Sequence, residues 1–305
     1  MRELKILAIV VAIIGVIYWG VEPLAHSVFH PKVAPADFEF QDLDAVDMSK
    51  ADIKKGKELT TANCASCHSI KSQGVDAPMD EASAASAFGV VPPDLSLIGG
   101  VLDSKFLVHF IANPVKAALL EHKFKVSCEG LSGEEAKACE ASNEDKADYP
   151  MSAFAGVLST QDMVDIAAYL KSIAPQTISG KEVFEQACQR CHSMGYDKLD
   201  AQTSGEDIAR YLGAKAPDLS MMIRSKGEHY LDVFINNPQK ELHGTAMPRV
   251  GLTEEAQKEL IGYIENVGDS KKVERDSLGI KIMIFFALLA LLAYAWKRKI
   301  WKDLH

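Results

Sequence analysis

Several things are scarce in this sequence, and each shortage excludes something. Only three tryptophans occur (Trp19, Trp296 and Trp301), and all lie at the ends of two apolar runs. No segment alternates apolar and polar residues convincingly, which argues against a sheet-based fold. Positive charge is short: 33 Lys and Arg face 42 Asp and Glu, a net charge of −9. Such a chain repels nucleic acid, and its acidic surface suits attraction of a basic partner. Cysteine is also sparse. Of the six, four fall in two copies of one five-residue pattern, "CASCH" at 64–68 and "CQRCH" at 188–192.

Long apolar runs are confined to residues 6–21, "ILAIVVAIIGVIYWGV", and 282–296, "IMIFFALLALLAYAW". Each falls slightly short of the roughly 20 residues that cross a bilayer. Flanking Lys5 and Glu22, and Leu278 to Lys281, extend them to spanning length. The tryptophans at their ends fit an interfacial aromatic belt. No Ala-x-Ala-like cleavage site follows the first run closely, which favours a retained anchor over a cleaved signal peptide. Arg2 and Lys5 precede the first run, while Lys297, Arg298, Lys299 and Lys302 follow the second. Basic flanks mark the cytoplasmic side. The expectation is a two-pass protein of a bacterial inner membrane, with both termini cytoplasmic and residues 23–279 in the periplasm. That middle stretch carries a net charge of −13, from 26 basic and 39 acidic side chains.

The chain also repeats itself. Cys64 matches Cys188, "PDLS" at 93–96 matches 217–220, and "FIANP" at 110–114 matches "FINNP" at 234–238, all at an offset of 124 residues. At Met151 and Met247 the offset falls to 96, so the first copy holds 28 extra residues. Three blocks at one offset indicate tandem domains of common design. The expected organisation is an N-terminal anchor at 1–22, a linker at 23–50, and a first domain at 51–174 with an inserted loop at 115–148. A second domain at 179–268 and a C-terminal transmembrane helix at 279–297 complete it. Apolar stripes at helical spacing follow Ser159 and Thr253, each a natural N-cap, and the fold class is all-α. The insertion is acidic and is expected at the surface.

Cys-x-x-Cys alone could be a zinc half-site, a redox dithiol or a disulfide. A histidine directly after the second cysteine changes the reading. Two thiols at this spacing can bond the two vinyl groups on one haem edge, and the adjacent imidazole reaches the iron. Cys64, Cys67, Cys188 and Cys191 are therefore expected to hold two covalent haem c groups, with His68 and His192 as iron ligands. Met151 in "YPMSAF" and Met247 in "TAMPRV" occupy matching places and are the candidates for the opposite iron face. Met163 reads as core, Met79 lies only fifteen residues beyond Cys64, and Met221 and Met222 have no counterpart in the first copy. His109, His122, His229 and His243 would give bis-histidine haems, His243 being the strongest of them. Cys128 and Cys139 remain, both inside the insertion; they can pair in an oxidising compartment or stay as free thiols.

On the pentads, "PPDLS" or "APDLS", the methionine and the terminal helix, each copy resembles a class I cytochrome c. That resemblance implies that the carbonyls of Pro93 and Pro217 accept the N–H of His68 and His192. With its anchors, "YWGVEPLAHSVFHPKVAPADF" and "WKDLH", the tandem resembles the dihaem cytochrome c1-type subunit of a bacterial quinol–cytochrome c oxidoreductase (the cytochrome bc1 complex). The retained N-terminal helix and the second haem depart from most such subunits. The resemblance implies a relay subunit rather than a catalyst alone. It would take electrons from a Rieske iron–sulfur protein and pass them to a soluble cytochrome c or oxidase, beside cytochrome b in a dimeric complex. Alternatives are a dihaem subunit of a haem–copper oxidase, a free-standing tethered carrier, and a dihaem peroxidase, which the paired methionines disfavour.

Overall fold

The computed structural model describes residues 2–29 and 36–304. Among the described residues the chain is all-helical, with isolated bridges and no strand. Its centre consists of two units built on one plan. In the first, a lead helix (Ile53–Asn63) runs into the first pentad and a closing helix (Thr160–Ile173) crosses it. Asp52 caps the lead helix by accepting from the N–H groups of Lys54 and Lys55, and Ser159 with Asp162 forms a capping box on the closing helix. In the second unit the lead helix is Gly180–Ala187, capped by Ser179 and Glu182, and the closing helix is Glu254–Gly268, capped by Thr253.

The crossing depends on one glycine per unit. A Cβ on Gly56 would lie 2.0 Å from the carbonyl oxygen of Asp165, and one on Gly180 would lie 2.0 Å from that of Glu259. Only a residue without a side chain lets the two backbones approach this closely. Between lead and closing helices stands a middle helix, Ser104–Ala112 or Glu228–Asn236. Each stops at an Asn-Pro pair, where the proline starts a new short helix. The expected stripe of the first closing helix is the core: Met163, Ile166, Ala167 and Leu170 are all buried.

Two parts differ from expectation. The inserted stretch at 115–148 is only half a surface loop. Val115, Ala118, Leu120 and Phe124 are buried and pack against Ile208 and Leu212 of the second unit. The acidic portion, with its helix Gly133–Ser142, is the exposed half. Net charge over the whole insertion hides these apolar positions, which is why composition alone places it at the surface.

The expected linker at 23–50 is also partly folded. Helix continues through Phe29, residues 30–35 lie outside the described part, and residues from Asp37 onward fold onto the first unit. Phe40 is buried against Phe106 and Ala117, and Lys105 Nζ donates to the carbonyls of Glu39 and Phe40. Asp42 forms an ion pair with buried Arg249 of the second unit, at 2.8 Å.

The units dock tightly. Asp103 N–H donates to Gly251 O, Thr253 N–H to Val101 O, and Arg249 N–H to Ala118 O. Gly251 has φ +77°, and a Cβ there would lie 2.0 Å from the Phe106 ring.

Outside the units, Arg2–Val16, a π-helical turn at Ile17–Val21 and Glu22–Phe29 follow one another in unbroken helical conformation. At the other end Lys272–Leu304 is a single helix of 33 residues. The stretches Leu4–Phe29 and Lys272–Lys302 are long and apolar enough to cross a membrane, and neither apolar window is buried against the units.

Candidate metal centres

Each pentad begins where its lead helix ends. The N–H of Cys64 still donates to Thr60 O, and that of Cys188 to Phe184 O, both at 2.9 Å. His68 N–H then donates to Cys64 O at 2.9 Å, and His192 N–H to Cys188 O at 2.8 Å. One tight turn therefore presents two thiols and an imidazole together. This is the local reason that the residues must be contiguous.

The imidazoles are held identically. His68 Nδ1 lies 2.8 Å from the carbonyl oxygen of Pro93, and His192 Nδ1 lies 2.7 Å from that of Pro217. A carbonyl can only accept, so Nδ1 carries the proton and Nε2 keeps its lone pair free for a metal. Burial lowers the basicity of both rings, while the proline carbonyls oppose that shift. The neutral ring, the form that ligates, is thus favoured.

The prolines are fixed by a second set of bonds that repeats exactly in kind. Ser69 Oγ donates to Asp94 at 2.7 Å, and Ser193 Oγ to Asp218 at 2.7 Å. The same aspartates accept from the N–H of Ser96 and of Ser220. Burial raises Asp218, but hydrogen bonds from Ser220, Ser193 and backbone N–H groups outweigh it and hold the carboxyl at about 2. Asp94 is lowered by the same balance. In the sequence the pentads and "PDLS" align the two copies, and the family resemblance gives a role only to the proline. The serine and aspartate of those blocks lock the proline loop to the pentad, and their joint repetition was the signal for it. Likewise "GKE" recurs at 56–58 and 180–182, at the same offset of 124. It marks the crossing glycines.

Met151 is half-buried and packs, like Cys64, against the first unit's core. Its loop is stitched to the end of the middle helix, Phe154 N–H donating to Ile111 O and Ala155 N–H to Ala112 O. Met247 is half-buried on the corresponding loop, where Val250 N–H donates to Ile235 O. The side chain of buried Asn236 binds the N–H groups of Gly251 and Leu252 and the carbonyl of Leu252. Met247 is not part of the core around Cys188; its neighbours Ala246 and Arg249 face the first unit. Of the rival ligands, Met163 is core, Met221 Sδ accepts from the Tyr196 hydroxyl, and His109 Nε2 bonds the Asp44 carbonyl. His229 and His243 are exposed.

The donor set fits a covalently attached haem better than a zinc ion. Among the described residues no three His, Cys, Asp or Glu side chains gather as a cation cage. Burial pushes the Cys64 thiol up to about 11 and that of Cys188 up to about 12, whereas zinc binding needs thiolates. A thioether sulfur is neutral and suits both positions. Cys128 and Cys139 form a disulfide, and the four pentad cysteines are the free ones.

The sequence profile described as "Cytochrome c" matches this chain twice, over residues 53–174 and 178–268. A cytochrome c from Tetrahymena pyriformis is 31% identical over 94 residues, covering 29% of this chain and 86% of the relative. No solved structure matches. Two profile matches covering most of the chain, laid over two histidine–proline frames of one geometry, leave a single conclusion: the protein belongs to the cytochrome c family, whose haem c is bound covalently.

Proposed function

We propose that the protein is a membrane-anchored dihaem cytochrome that relays electrons, one haem per unit, as the cytochrome c1-type subunit of a bacterial quinol–cytochrome c oxidoreductase. Its donor is a Rieske iron–sulfur protein, and its acceptor is a soluble cytochrome c or an oxidase. Cytochrome b would pack against the terminal helices, and the units would face the periplasm with both chain ends cytoplasmic. The observation that carries this reading is the C-terminal helix. Lys272–Leu304 leaves directly from the second unit, so the tandem is held at both ends by segments long enough to span.

When bound, haem supplies reversible one-electron chemistry at iron. The residues here do the rest. Cys64 and Cys67, and Cys188 and Cys191, supply the covalent attachment. His68 and His192 offer Nε2, oriented by Pro93 and Pro217. Met151 and Met247 would supply soft sulfur as further iron ligands, which would favour the reduced state and a high potential. Tight docking of the two units keeps the separation of their sites constant, which is what a relay needs.

The test is gentle purification from the native membrane. Cytochrome b and Rieske subunits that co-purify bear the proposal out. Co-purification with a copper-containing oxidase, or isolation alone, replaces it with the oxidase-subunit or free-carrier reading.

A further inference from the structure

Arg190 lies inside the second pentad, between Cys188 and Cys191, yet its surroundings belong to both units. Its carbonyl accepts from Thr203 N–H at 3.2 Å. The fully buried Thr203 Oγ1 in turn accepts from Val91 N–H of the first unit at 3.1 Å. Val91 is two residues from Pro93, whose carbonyl holds His68. A short chain of hydrogen bonds therefore ties the backbone of the second pentad to the frame of the first histidine. The side chain lies at the same seam. Cys191 packs there with Tyr149 and Tyr211, whose rings are 6.3 Å apart, and Tyr149 is two residues before Met151. The positive charge of Arg190 acts on both tyrosines and on His68.

What the Arg190 Nε–H lacks is a partner. It is buried and donates to no acceptor among the described residues, and none of their carboxylates forms an ion pair with the guanidinium. A buried N–H of a charged group left unpaired is costly, so such groups are found against anions. No Asp or Glu among the described residues is placed to serve, and the Tyr149 and Tyr211 hydroxyls are hydrogen-bonded to each other. The seam thus leaves one buried guanidinium N–H without the anionic acceptor that its charge calls for.

We propose that Arg190, from the pentad of the second unit, binds a propionate carboxylate of the haem held by the first. This rests on the reading that each unit carries a covalent haem. Arg190 is then a positioning residue that couples the two centres electrostatically, because one side chain belongs to one unit and neutralises a charge in the other. Its guanidinium would make a charge-assisted hydrogen bond of the kind arginine favours with carboxylates.

Two measurements on the full haem-loaded chain decide the matter. The first is an experimental structure. Arg190 within hydrogen-bond distance of a propionate of the haem on Cys64 and Cys67 is the expected result. Arg190 on a propionate of the haem on Cys188 and Cys191, or on no carboxylate, overturns the proposal. The second is a redox titration of Arg190→Gln and Arg190→Lys across pH. Loss of the cation favours the oxidised state, so R190Q lowers one midpoint potential. The expected change in that equilibrium is about tenfold, or about 59 mV for one electron. The stranded carboxylate then takes up a proton on reduction, so the same midpoint falls further as pH rises. R190K retains most of the parent behaviour. Two unchanged midpoints in R190Q overturn the proposal. Haem content of the parent protein, measured in the same preparation, tests the underlying reading separately. Fewer than two covalent haems per chain sinks that reading, whereas two haems with an unpaired Arg190 sink only this inference.

Discussion

In the first unit two backbone hydrogen bonds join the methionine loop to the middle helix; in the second, one backbone bond is joined by three from Asn236. The residue matching Asn236 in the first copy is Ala112, which can offer only its carbonyl. The first unit has other support instead: the segment around Phe40, the insertion and the Cys128–Cys139 disulfide. The histidine frames meanwhile agree to within 0.1 Å in their proline contacts, 2.8 against 2.7 Å. Duplication has kept the histidine frame fixed and let each copy find its own way of holding the methionine loop.

The strongest way to break this comparison is to remove one attachment site at a time. Cys64→Ala with Cys67→Ala, or Cys188→Ala with Cys191→Ala, should each halve the covalent haem per chain, read by haem staining and haem-to-protein ratio. If either pair abolishes both haems, the units do not mature independently. Next come the crossing glycines. Gly56→Val and Gly180→Val each force a side chain into a carbonyl, and each should cost more than about 3 kcal/mol, measured by chemical unfolding. Equal penalties would confirm that the crossings are equivalent. Asn236→Ala converts the second unit's device to the first's and leaves two buried N–H groups unpaired. It should cost about 3 kcal/mol, while its counterpart Ala112→Asn gives no gain.

Much of this was legible from the chain and some was not, and the division has a physical basis. The pentads are contiguous, and each proline carbonyl follows its histidine at one fixed spacing, so the sequence reveals them. Helix caps at Ser159 and Thr253 are equally local. Arg249 and Asp42 are 207 residues apart and occur in no repeated block, so nothing in the linear pattern pairs them. The segment around Phe40 has only Phe38, Leu43 and Val46 as further large apolar residues, too few and too unevenly spaced among its acidic neighbours to show a period. Arg190 sits in plain view, but its meaning depends on docking between the units.

Smaller effects sharpen the contrast. Replacing Cys128 and Cys139 by Ser should destabilise only the first unit, by about 2 kcal/mol, since the bridge spans 11 residues. Ser69→Ala and Ser193→Ala should each cost about 1 kcal/mol. They should also change acid behaviour. Asp94 and Asp218 are held below their unfolded value near 3.8, so their contribution is complete above that pH. It is lost as pH falls through the folded value, about 2 for Asp218. The serine variants should flatten this acid loss, read by unfolding between about pH 4 and 2.

The last helix has a consequence for reach. Its 33 residues make a rod about 50 Å long, while a hydrocarbon core is only about 30 Å thick. In a bilayer that takes the apolar stretch, the first turns would stand clear of the lipid as a rigid post. Lys272 paired to Glu265, and Arg275 to Asp269, brace that post against the closing helix of the second unit. Such a mount would set the height of the second centre above the bilayer. It would limit a docking partner to those that work at one altitude, where a slack tether would have let the domain sweep through many.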